Sequence, residues 1–274
     1  MPALADSVRR VVSDAAARLA AAGCETPRLD TELLLGEALG VERSWLFTHS
    51  DAQLPPAAAA RFEALVERRA AREPVAYILG RRHFRRVSLD VDSRVLIPRP
   101  ETELLVEVAL ELPAGARVHD VGTGSGAVAL AIKDERPDLD VSGSDISPVA
   151  VEVARANGRR LSLDVAFDVA SGLRRGEYSL VTANLPYVRD DEWPSLPPEI
   201  RVYEPRGALT AGSDGLDAIR ALVAAAPPGI VVALEHAPAQ AADIRSLLDG
   251  AVTRLDLSGR ERVTLGRARG FGTC

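Results

Sequence analysis

The chain has 274 residues, 47% apolar and 26% charged, enough for a substantial core and for two domains. A formal charge of −6 and a pI near 5.4 weigh against a surface built for broad contact with phosphate backbones, and no run of about 18 uncharged apolar residues is present to span a membrane. Acidic and basic residues are spaced through the first helix-like stretch, and Cys24 and Cys274 have neither metal-ligand nor disulfide-framework spacing, so a cytoplasmic protein without a structural metal is expected.

Leu4, Val8, Val11, Val12, Ala15 and Leu19 recur at the spacing of one helical face. In TPRLDTELLLGEALG, Thr26 is placed to cap a second helix, Pro27 suits its first position and Gly40 its stop. PPAAAARFEALVERRAAREP repeats the pattern, with Ala58, Phe62, Leu65, Val66 and Arg69 on one side and Pro74 at the end. Residues 1–75 are expected to form a small α-helical bundle.

Beyond it the period shifts. VSLDVDSRVLIP alternates Val87, Leu89 and Val91 against Ser88, Asp90 and Asp92, as a half-buried strand does, so residues 76–98 are expected to form a β-hairpin linker. LGRRHFRRV, residues 79–87, holds four Arg within six positions; it reads as the solvated face of that hairpin, with a local basic patch as the alternative. From residue 99 to 274, strand-like and helix-like segments alternate, the pattern of a mostly parallel sheet covered by helices, with seven strands. VTRLDLSG and RVTLGR have no helix between them and should pair antiparallel through SGRE. The fold class expected is α/β with an antiparallel last strand, preceded by the helical bundle.

The first strand of that region turns into a helix through VHDVGTGSGAVALAI. At the carboxyl end of a strand in an open α/β sheet, Gly122, Gly124 and Gly126 would let the backbone approach a nucleotide-like ligand. Gly122, Gly124 and Ala127 also satisfy the looser dinucleotide fingerprint, and Asp145 ends the second strand, so the loop alone leaves the cofactor open. Asp120, immediately before the loop, suits the ammonium of S-adenosyl-L-methionine better than a pyrophosphate. Asp145 would accept from ribose hydroxyls with either ligand, and Asp168 with Val169 could bracket an adenine. As a helix-capping or turn residue, Asp168 would be equally ordinary.

TANLPYVRD, residues 182–190, follows an apolar strand and ends it with an amide, a proline and an aromatic ring, with no His, Cys or Ser nucleophile beside them. Methyl transfer from a sulfonium depends mainly on alignment, so no acid–base pair is required. If the acceptor is an amide or aromatic amine, its two N–H hydrogens need two acceptors: the side-chain oxygen of Asn184 and the carbonyl of Leu185, stiffened by Pro186, with Tyr187 packed on the planar group.

AYILGRRHF, VLIPRPETELLVE, DVGTGSGAVALAI, YEPRGAL, LEH and RERVTLGR together resemble the bacterial peptide-chain release factor glutamine methyltransferase family, from the helical region to the last strand. The resemblance implies a Rossmann-like, S-adenosylmethionine-dependent enzyme. It would methylate the side-chain amide nitrogen of the Gln in the Gly-Gly-Gln loop of class I release factors. By position, Gly122, Thr123, Gly124, Ser125 and Gly126 would bind the cofactor with Asp120, Asp145 its ribose, and Asp168 and Val169 its adenine. Asn184, Pro186 and Tyr187 would be catalytic, Asn184 facing the cofactor as well, and Asn184 to Tyr187 would hold the substrate Gln. IPRPETE, with Arg99, Pro100, Glu101 and Thr102, would line the site without a separate role for each residue, and Glu204 and Pro205 would buttress the Asn-Leu-Pro-Tyr loop. The family usually carries Asn-Pro-Pro-Tyr, whereas Leu185 gives the form familiar from ribosomal-RNA adenine dimethyltransferases. Val169 stands where some relatives have a bulky aromatic.

Three other readings compete. An adenine methyltransferase acting on RNA or DNA shares fold, cofactor and tetrapeptide, but conflicts with the acidic pI and with the order of the two domains. A dehydrogenase leaves Asn184 to Tyr187 without a task, and a cofactor-sensing module has no need of Asn184. The helical domain is expected to recognise the body of the release factor, because one glutamine offers too little contact for specificity. A monomer without direct contact to nucleic acid is expected, and His119 and His236 are expected to be structural.

Overall fold

The structure, a computed structural model, describes residues 7–173 and 176–269. Leu4 and Cys274 lie outside the described residues. The chain divides into two units, the first comprising residues up to Gly80 together with Pro197–Tyr203, the second Arg81–Leu196 and the chain from Glu204.

The first unit holds α1 (Val8–Ala21), α2 (Pro27–Leu39), α3 (Arg43–Thr48), α4 (Pro56–Ala70) and α5 (Val75–Leu79). Val8, Val12, Ala15 and Leu19 form the buried stripe of α1 and meet Leu34, Leu35, Phe62, Val66 and Ile78 in one core. Because Ile78 of α5 belongs to that core, the unit runs past residue 75 to Gly80. Gly40 ends α2 in the left-handed conformation at φ 69°. Thr26 does not cap α2 with its side chain; its hydroxyl donates instead to Asp30 Oδ1 at 2.7 Å. Asp30 is itself engaged by Arg69 Nε at 2.7 Å, and Arg69 Nη2 reaches Glu199 at 2.9 Å. Arg69 thus sits on the buried face of α4 as one member of a paired, hydrogen-bonded charge cluster.

The second unit opens with the hairpin β1 (Arg81–Phe84) and β2 (Val87–Asp90), which buries Phe84, Val87 and Leu89. Its arginines are not all solvated: Arg85 at the turn pairs with Glu135, and Arg82 Nε donates to Pro98 O at 3.2 Å. Then come α6 (Glu103–Leu110), β3 (Arg117–Val121), α7 (Ala127–Glu135), β4 (Asp140–Asp145), α8 (Pro148–Leu161), β5 (Ala166–Val169) and β6 (Leu180–Ala183). The short helix α9 (Pro198–Tyr203) belongs to the first unit and carries Glu199. The second unit resumes with α10 (Asp217–Ala225), β7 (Val231–Glu235), α11 (Ala241–Leu247), β8 (Leu248–Leu255) and β9 (Glu261–Ala268).

The seven strands are ordered β5-β4-β3-β6-β7-β9-β8, parallel from β5 to β7, with β9 antiparallel to both of its neighbours. Strand β8 starts at Leu248, earlier than the sequence pattern indicates, because a register shift between Asp249 and Val252 admits the residues around Gly250 to the sheet. The chain builds outward from β3 to β5, then returns to lay β6 on the other side of β3. This reversal is a topological switch point, where an open α/β sheet leaves a crevice at the carboxyl ends of its strands.

Candidate active site

Two loops leave the sheet side by side at that crevice. Val121 of β3 pairs with Ala183 of β6, so Gly122 and Asn184 are the next residues on neighbouring strands. Gly122, Gly124 and Gly126 all have positive φ, a conformation that glycine adopts freely. A Cβ on Gly122 would stand 2.9 Å from Leu185 Cδ2, so the glycine loop and the Asn-Leu-Pro-Tyr loop pack directly against each other. A Cβ on Gly124 would meet nothing within 4 Å, which leaves that part of the loop open to a ligand.

Asp120 lies at the base of the glycine loop, 2% exposed, and accepts from Thr182 Oγ1 at 2.9 Å. Burial, with the charge of Asp145 as a lesser contribution, pushes its carboxyl up to about 7. A cation seated beside it would favour the ionised form. Among the described residues the buried Thr123 hydroxyl has no partner that meets hydrogen-bond geometry, although it is near enough to Asp120 to help stabilise its charge. Asp145 has a task the sequence did not reveal: Oδ2 accepts from Gly124 N and Oδ1 from Ser147 N, both at 2.9 Å, clasping the loop from the end of β4. Spare lone pairs on both oxygens remain for hydroxyl donors. Ser125 is buried, and its carbonyl accepts from Asn157.

At the end of β5, beside Asp145, Val169 is 52% exposed, and Ile146 is 72% exposed. Two bare apolar side chains flanking a carboxylate suit a planar heterocycle joined to a diol. The sequence reading named Val169 and missed Ile146, an apolar residue directly after the strand-ending acid. Asp168 is half-exposed and lies 3.9 Å from Arg155.

Asn184, Leu185, Pro186 and Tyr187 are half-buried. Asn184 Nδ2 donates to Thr102 Oγ1 at 3.0 Å, while Asn184 Oδ1 and the Leu185 carbonyl accept from none of the described residues. The loop is held elsewhere, since Gln240 Nε2 donates to Tyr187 O at 2.9 Å, and Val188 exchanges backbone bonds with Leu209 and Ala211. Those ties supply rigidity with Leu at position 185. The Tyr187 hydroxyl donates to Glu235 Oε1 at 3.4 Å, and burial raises its pKa above the usual phenol range.

Arg99 is paired with the buried carboxylate of Glu204, which also accepts from Ile97 N at 3.1 Å. Glu204 therefore braces the Ile97–Arg99 segment, and no hydrogen bond joins it to residues 184–187 among the described residues. Glu101 is partly exposed, 4.0 Å from Arg262 Nη2. His119 bonds to Ser142 and Ser144, and His236 to Ala237 O and Thr264, and both are buried. Thr102, Glu235 and Gln240 are the residues whose individual roles the sequence did not give.

A glycine loop and an Asn-led tetrapeptide meeting at the switch point of such a sheet define the Rossmann-like methyltransferase class, and a family model described as "Methyltransferase small domain" matches residues 88–195. The hMettl16 catalytic domain, solved in complex with an RNA hairpin, shares the fold with a TM-score of 0.52 at 14% identity, covering 68% of this chain and 77% of that one. A second model, "PrmC N-terminal domain", matches residues 10–80. Proteins named release factor glutamine methyltransferase are 45% identical in Xylella fastidiosa, over 93% of this chain and 98% of that one, and 40% identical in Deinococcus radiodurans, over 96% and 99%. The chain belongs to the release factor glutamine methyltransferase family.

Proposed function

We propose that this protein transfers a methyl group from S-adenosyl-L-methionine to the side-chain amide nitrogen of the Gln in the Gly-Gly-Gln loop of class I peptide chain release factors. The observation that carries the reading is the pair of unused acceptors, Asn184 Oδ1 and Leu185 O, beside the glycine loop. A primary amide has two N–H bonds in one plane. Taking both into fixed acceptors orients the nitrogen's weakly nucleophilic lone pair and removes its freedom to turn away.

The residues present fit the cofactor. Asp120 would hold its ammonium, the Thr123 hydroxyl, unpartnered among the described residues, its polar end, Asp145 its ribose, and Ile146 and Val169 its adenine. When bound, S-adenosylmethionine supplies an electrophilic methyl on a sulfonium. Asn184 and Leu185 orient the amide, Tyr187 covers it, and Pro186 limits the loop's motion. Arg99 and Glu101 border the entrance, and the helical unit binds the body of the release factor.

The test is Asn184→Ala: binding of S-adenosylhomocysteine by calorimetry should persist, while methyl transfer falls roughly a hundredfold or more, the scale of a lost alignment. Methyl transfer within twofold of wild type would refute the site as read. The RNA-bound neighbour shares fold alone, and the acidic chain favours the protein acceptor.

A further inference from the structure

An asparagine amide has nearly the same shape in either of two orientations, but turning it over exchanges an acceptor for a donor. Only one orientation of Asn184 can receive an N–H from a substrate. Its local partner is the hydroxyl of Thr102, 3% exposed, 3.0 Å from Nδ2. That hydroxyl owns one hydrogen. Directed at Asn184, it would bond Oδ1 and turn the amide over; directed elsewhere, it leaves a lone pair that must receive Nδ2–H.

Glu235 decides the direction. It lies one residue past Leu234, and Leu234 pairs with Ala183, so Glu235 and Asn184 end neighbouring strands. Its side chain is 1% exposed; Oε1 accepts from the Tyr187 hydroxyl, Oε2 has no partner among the described residues, and the Thr102 hydroxyl, whose bond is to Asn184 and not to this carboxylate, lies near enough to help stabilise its charge. A carboxylate only accepts, so it draws the Thr102 hydrogen toward itself. A packing role would be filled better by an apolar side chain, because a buried carboxylate with an unsatisfied oxygen costs stability.

We infer that Thr102 and Glu235 are positioning residues that fix the orientation of the Asn184 amide, presenting Oδ1 to the acceptor nitrogen; the inference rests on the reading of Asn184 given above. The relay runs Glu235, Thr102, Asn184, with Tyr187 tied to the same carboxylate. Glu101 and Arg262 are the other charged groups facing Glu235, the first repelling its charge and the second favouring it. Burial pushes Glu235 up to about 7. Once protonated it becomes a donor, and the Thr102 hydrogen is released toward Asn184.

The test compares Thr102→Val, Thr102→Ser and Glu235→Gln in steady-state and single-turnover methylation of a release factor. Thr102→Val should lower kcat roughly tenfold or more with KM for S-adenosylmethionine within about twofold, and Thr102→Ser, which keeps the hydroxyl, should restore most of it. In an Asn184→Ala background Thr102→Val should add less than about twofold, because both substitutions remove one function. At saturating cofactor, wild-type kcat should fall as pH drops below about 7, and Glu235→Gln should be slow and flat across the same range. Additive effects in the double variant, or a Thr102→Val enzyme with wild-type kcat, would overturn the relay while leaving the role of Asn184 standing. Full activity of Asn184→Ala would instead remove the reading beneath it. Melting curves separate a folding defect, and if Thr102→Val does not fold, Glu235→Gln and Thr102→Ser carry the comparison.

Discussion

Asp120 gains its raised pKa from burial next to a loop that suits a cation, and that has consequences for both stability and binding. Its folded-state value of about 7 lies above the ordinary 3.8, so the folded state holds the proton more tightly than the unfolded one. The corresponding stability is fully present below the unfolded value and is lost as pH rises through about 7. The melting temperature of Asp120→Asn, relative to wild type, should therefore increase between pH 5 and pH 8; an unchanging difference would contradict the assignment. An ammonium beside Asp120 favours its ionised form, so calorimetry should find S-adenosylmethionine affinity rising several-fold over roughly pH 6 to 8 in wild type and weak, flat affinity in Asp120→Asn. Gly122 makes a steric prediction: Gly122→Ala puts a methyl 2.9 Å from Leu185 Cδ2 at a φ of 73°, and should impair cofactor binding and methyl transfer together.

Among the elements, α4 is held by charge as well as by its apolar stripe. Arg69 and Asp30 are 6% and 7% exposed, and Arg69 also reaches Glu199 of α9. Removing one member leaves buried charge without a counterpart, so Arg69→Met should destabilise the chain by about 3 to 5 kcal/mol in urea unfolding. A loss below about 1 kcal/mol would show that water compensates the carboxylates. The periodicity of α1 and α4, the bounds of α2 at Pro27 and Gly40, and the order of strands and helices were legible in the sequence because each follows from local spacing or local stop signals. Membership of α9 in the helical unit was not, since it depends on an ion pair between Arg69 and Glu199 separated by more than a hundred residues. Nor was the early start of β8, which depends on a bulge.

At the scale of the whole molecule, the sheet order converts three distant stretches into one site. Gly122 and Asn184 could be read from the sequence because each sits in a recognisable loop at a strand end. Thr102 and Glu235 fall in the IPRPETE and LEH stretches that carry the family resemblance, but the sequence gives neither a role of its own; that arises only when the segment leading into α6, β6 and β7 are brought together, as the pairing of Ala183 with Leu234 does. What sets this chain apart from other methyltransferases of the same fold is the claimed acceptor, a glutamine amide. The most direct measurement is methyl transfer from labelled S-adenosylmethionine to an unmethylated class I release factor, with its Gly-Gly-Gln glutamine intact or replaced by Ala, and ribosomal RNA as a parallel acceptor. Label on the intact factor alone is predicted. Label on the Ala variant, or on RNA in place of protein, would contradict the claim.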